Sequence, residues 1–81
     1  MRVKGKELKE ILNDYVMSNT ELAREMGVDV AEVEKLLYGE SVGLETATKF
    51  IKYFGSYVAG RLINWNAVGK KGIIPKGENL K

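Results

Sequence analysis

Apolar residues recur at helical intervals along the first 64 positions, in blocks separated by polar or glycine breaks. Leu8, Ile11, Leu12 and Tyr15 stand at i, i+3, i+4 and i+7, the inward stripe of an amphipathic helix over about residues 5–16. Ser18, Asn19 and Thr20 break this block, and Ser18 with Glu21 has the spacing of a capping box. A second helix therefore starts there, with Leu22, Ala23 and Met26 as its apolar side. Gly27 follows, where a left-handed residue would end it. Asp29 and Glu32 repeat the capping-box spacing, so both are read as caps of a third helix over about residues 30–38. Val30, Val33, Leu36 and Leu37 share one side of that helix, and Gly39 closes it. Leu44, Ala47, Ile51 and Phe54 predict a fourth helix ended by Gly55, and a shorter fifth fits residues 56–64 around Gly60. No segment alternates with the period of a strand. The expected fold is all-α, a compact bundle of four to five helices.

The second and third helices are separated only by Gly27, Val28 and Asp29. A turn this short forces the two helices to cross steeply, as in a helix-turn-helix. Ala23 is small where they would approach, and Val28 and Val33 seal the crossing with Leu22 and Leu37. Residues 1–65 form one domain on this reading. Residues 66–81 carry three glycines, the single proline and four lysines, and read as a basic, loosely ordered tail.

Composition narrows the chemistry. The chain has 81 residues, 44% of them hydrophobic and 30% charged, enough for one modest core. It has no cysteine and no histidine, which excludes disulfides and thiolate metal sites and removes the usual general base. The run from Gly55 to Arg61 mimics half of a P-loop, but Arg61 and Leu62 stand where Lys and Ser or Thr are required. An enzyme, a metal and a cofactor are therefore not expected. No apolar run is long enough for a signal or a membrane span, so a cytoplasmic protein is expected. The net charge of +2 is unevenly spread. Residues 18–40 hold six acids against two bases, whereas residues 41–81 hold seven bases against two acids.

The segment from Ser18 to Phe54 resembles the Cro/CI (XRE) family of lambda-repressor-like helix-turn-helix domains. The resemblance rests on Ser18-Asn19-Thr20-Glu21-Leu22-Ala23, Gly27-Val28-Asp29, Val33, Gly39 and Leu44-Glu45-Thr46-Ala47. It implies a five-helix, phage or bacterial DNA-binding domain, usually a dimeric transcriptional regulator, with residues 30–38 as the recognition helix in the major groove. The family's base-reading positions fall on Val30, Ala31 and Lys35, and a phosphate-contacting position falls on Asn19. The residues themselves give a compatible picture. At 100° per residue, Ala31, Lys35 and Tyr38 lie opposite the inward side, with Glu32 and Glu34 on the flanks. The candidate DNA-binding set is thus Asn19, Val30, Ala31, Glu34, Lys35 and Tyr38. Lys35 is alternatively a solvated lysine paired with Glu32 or Glu34. Tyr57, Val58, Leu62, Ile63 and Trp65 exceed what one short helix needs, and either complete the core or form a homodimer patch, for which Tyr57, Val58, Leu62 and Trp65 are the candidates.

Two functions compete. The first is a small sequence-specific, repressor-like transcriptional regulator that binds double-stranded DNA as a homodimer. The second is a helix-turn-helix scaffold for protein contacts, antitoxin-like or a regulatory subunit. The basic flanks favour the first. The acidic middle, which DNA phosphates repel, favours the second.

Overall fold

A computed structural model describes residues 1–65 of the chain. The tail reading for residues 66–81 lies outside the described residues. Five helices follow in order: α1 (Gly5–Asp14), α2 (Asn19–Met26), α3 (Val30–Leu37), α4 (Leu44–Phe54) and α5 (Ser56–Leu62). None of them is long and apolar enough to cross a membrane. Among the described residues the only β pairing is an isolated antiparallel bridge between Val3 and Ile63.

Three of the helix ends share one geometry. After α2, the Gly27 N–H donates to the Arg24 carbonyl and the Val28 N–H donates to the Ala23 carbonyl, with Gly27 at φ 77°. This is a Schellman stop, and glycine adopts its left-handed centre without steric penalty. Gly39 ends α3 in the same way at φ 72°. α1 also ends so, with Met17 N–H donating to the Leu12 carbonyl at 2.8 Å, but Val16 occupies the left-handed position at φ 52°. The periodic stripe therefore stops short of its fourth member. Leu8 and Leu12 are buried and Ile11 is half-buried, whereas Tyr15 lies past the helix end and is 76% exposed.

α2 keeps its predicted cap. The Glu21 N–H donates to Ser18 Oγ at 3.1 Å, and the Ser18 N–H donates to Glu21 Oε1 at 2.8 Å. α3 does not. Asp29 is the residue before the helix, but its side chain caps nothing, and Glu32 is drawn into other bonds described below. Both cap readings at α3 are thus corrected.

α4 is rotated from the predicted stripe. Leu44 is exposed and Ile51 is 37% exposed, while Thr46, Ala47 and Phe50 face inward. Phe50 is completely buried and its ring lies 4.9 Å from that of half-buried Phe54. Ala47–Phe50–Phe54 and Ala47–Ile51–Phe54 are both helical spacings. The larger aromatic side chain takes the centre because it removes more apolar surface from water.

The ends of the domain close the core. Val3, Val42 and Ile63 are buried although none belongs to a helical stripe. Backbone bonds from Lys4 N–H to the Leu62 carbonyl and from Asn64 N–H to the Arg2 carbonyl flank the Val3–Ile63 bridge. Met1 and Val42 exchange a further pair, at 3.1 and 2.9 Å. This extended segment stops α5 at Leu62, two residues earlier than the pattern suggests. Gly5 sits where α1 meets the end of α3. A Cβ there would overlap the Leu37 carbonyl oxygen and stand 2.6 Å from its carbonyl carbon, so no larger residue permits this approach.

Candidate nucleic-acid interface

The helix-turn-helix is α2, the turn of Gly27 to Asp29, and α3. Leu22, Ala23 and Met26 of α2 and Val33 and Leu36 of α3 are buried, as the crossing requires. Fixing those side chains inward fixes the outward face of α3. Ala31, Glu34 and Lys35 are exposed on it, with Tyr38 78% exposed at its end. Val30, read both as inward and as a base contact, is 41% exposed at the first turn. Five of the six candidate positions therefore share one helix face. Asn19 stands apart, half-buried in the first turn of α2.

The charge around this face is mixed. Asp29, Glu34, Glu40 and Glu45 are all exposed near it or in the segments that flank it. The first basic residues lie close by, because Met1 pairs with Val42 in the loop after α3. Arg2 and Lys4, on either side of buried Val3, are both exposed.

Lys35 is paired with Glu32, at 3.2 Å, and not with Glu34. The other oxygen of Glu32 accepts a 2.8 Å bond from the buried Thr46 hydroxyl of α4. Lys49 of α4 donates to the Gly27 carbonyl at 2.9 Å and pairs with Glu45 at 3.2 Å. Thr46 and Lys49 were not legible as partners of this site. They lie 14 and 22 residues from the groups they bond, and no local pattern links such positions.

Two carboxyls titrate below their ordinary value of 4.5. The Ser18 backbone N–H lowers Glu21 most, followed by the Ser18 hydroxyl. The Thr46 hydroxyl lowers Glu32 most, followed by its bond to Lys35. A carboxyl that titrates lower folded than unfolded adds stability above the unfolded value and loses it as pH falls through the folded one. Thermal melts are therefore expected to fall as pH drops from 4.5. Glu21→Gln should show a shallower loss over that range. An acid limb as steep as that of the wild type would show that the cap does not carry this charge.

The dimer-patch residues divide. Tyr57 and Trp65 are 76% and 58% exposed, and Val58 is at the margin of exposure. Leu62 is 3% exposed and packs in the core, because it points inward with Ala59, so it is removed from any surface patch. Tyr57 lies beneath the Arg61 guanidinium at 5.9 Å, and Trp65 Nε1 donates to the Gly60 carbonyl at 2.8 Å.

No group of three or more potential metal ligands occurs among the described residues. No curated protein and no solved structure matches the chain. A family model for the Cro/C1-type HTH DNA-binding domain matches residues 7–58, more than half of the chain and all of α2, α3 and α4. The crossing of α2 and α3, their shared buried seam and this match agree: the chain belongs to the Cro/C1-type helix-turn-helix DNA-binding family.

Proposed function

We propose that this protein is a sequence-specific transcriptional regulator of repressor type, phage or bacterial in kind, that acts on double-stranded DNA in the cytoplasm. The observation that carries the reading is the outer face of α3. Ala31, Glu34, Lys35 and Tyr38 are exposed there on a helix whose other side is locked into the core. A side-chain set held rigidly on one helix face suits base-edge readout in a major groove. Val30 adds an apolar contact, suited to a thymine methyl, and Asn19 a phosphate contact at the start of α2. Pairing of two copies through Tyr57, Val58 and Trp65 would present two such helices to a two-fold site.

The test is selection from a random-sequence duplex pool, followed by anisotropy titrations of the enriched site. Lys35→Ala is expected to weaken binding and relax base preference. Glu34→Gln is expected to tighten binding by up to about fivefold, less at higher salt, because it removes a charge that phosphates repel. Sedimentation of the same sample over a concentration series reads the dimer. The exposed acids around α3 favour a second reading, a scaffold for a basic protein partner. No enrichment at any salt, and no change in affinity from either substitution while melts stay native, would replace the first reading with the second.

A further inference from the structure

The contacts of Glu32 have no part in capping α3, and its two oxygens serve different partners. Oε1 accepts from Thr46 Oγ1 at 2.8 Å, and Oε2 lies 3.2 Å from Lys35 Nζ. The hydroxyl is a fixed anchor. Thr46 is 6% exposed, and a β-branched side chain in a helix has few rotamers. The Glu32 side chain is 27% exposed and that of Lys35 is 47% exposed, so the chain of contacts runs from the α4 packing surface out to the reading face. The Glu32 carboxyl is held charged by both bonds, the hydroxyl contributing most. The neighbouring pair is built differently, because Glu45 is 83% exposed and is bonded to Lys49, which is itself 38% exposed.

An unanchored surface pair between long side chains orders neither partner and contributes little. Anchoring one partner in the interior changes this. A lysine otherwise samples many rotamers on its four-carbon stem, and that freedom is lost on contact with a base. Holding the ammonium beforehand reduces the loss for the correct contact only. It also neutralises a charge that would attract any phosphate, whatever the sequence. Resting on the DNA-binding reading above, we infer that Glu32, anchored by Thr46, is a positioning residue for Lys35 that raises base discrimination at the expense of non-specific affinity.

The inference separates charge from position and is tested on the full chain with the enriched duplex and a scrambled one. Glu32→Gln is expected to tighten the scrambled duplex by about two- to fivefold and to lower the ratio of the two affinities by about three- to tenfold. Thr46→Val changes no charge. It should lower the ratio similarly while leaving the scrambled duplex unchanged, and Thr46→Ser, which keeps the hydroxyl, should restore the ratio. Glu45→Gln removes the same charge from the neighbouring pair and should tighten both duplexes equally. In the DNA-free protein, carbon relaxation of the Lys35 side chain should show greater mobility in Glu32→Gln and Thr46→Val. A ratio within twofold of wild type in both, with native melts and unchanged Lys35 relaxation, overturns the inference. If Lys35→Ala still collapses the ratio in that case, the DNA-binding reading stands and only the positioning role falls. If Lys35→Ala leaves the ratio intact, both fall.

Discussion

Gly5→Ala is expected to destabilise the domain by at least about 3 kcal/mol, a fall in Tm of more than about 12 °C for a domain of this size. The substitution adds one methyl group to a helix and would ordinarily stabilise it, because alanine is the better helix former. Here the methyl has nowhere to go. It overlaps the Leu37 carbonyl oxygen, and the carbonyl of Leu36 is 3.1 Å away. These are backbone atoms at the end of α3, which cannot turn aside as a side chain can. Relief requires α1 and α3 to part, and Leu8 and Leu12 lose their packing when they do. Gly60→Ala is the internal comparison. That glycine also lies within a helix, but no atom stands within 4 Å of an added Cβ. It should stabilise by about 0.5–1 kcal/mol. A Gly5→Ala melt within about 2 °C of wild type would mean that the two helices do not meet at this glycine.

Phe50→Ala is expected to cost about 3–5 kcal/mol and Ile51→Ala less than about 1.5 kcal/mol. Phe50 is fully buried at the centre of the core and touches Phe54, so its removal leaves a cavity between α4 and its neighbours. Ile51 is 37% exposed, and its truncation opens a surface that water fills. Chemical denaturation of both variants gives the two values. A larger loss at Ile51 would restore the stripe that spacing alone suggests.

This pair of neighbours marks how far the sequence could be read. The existence, order and approximate limits of all five helices follow from local spacing, because each helix has its own stripe, cap or glycine stop. So does the turn from Gly27 to Asp29, since a three-residue connection admits few geometries. What is not local was not legible. Ile51 and Phe50 satisfy the same periodicity, and only the shape of the assembled core chooses between them. Tyr15 continues a perfect spacing, yet the helix has already ended at Asp14. Val3 and Val42 belong to no stripe and acquire their burial from partners far along the chain.

The same division applies to the site. The face of α3 could be drawn from its inward residues, and Ala31, Glu34, Lys35 and Tyr38 are all exposed on it. The duty of Glu32 could not. Its spacing from Asp29 matches a cap, but a threonine 14 residues away offers its carboxylate a better-anchored donor than the helix start does. Composition leaves Leu62 open between core and surface patch, because it does not distinguish the two sides of a helix only about two turns long.

The Val3–Ile63 bridge also bears on how the chain acquires its shape during synthesis. α2 and α3 are adjacent in sequence and pack against each other, so their seam can form while later residues are still being added. Val3 is made before all five helices and must wait for Ile63, 60 positions later. Until then its buried place is empty, and the end of α1 that Gly5 seats on α3 has no strap across it. A nascent chain that stops before Ile63 therefore carries a formed α2–α3 seam on an open core. Such a species exposes apolar surface and is a target for chaperones and proteases, and the arrival of Ile63 is the step that makes the fold a closed unit.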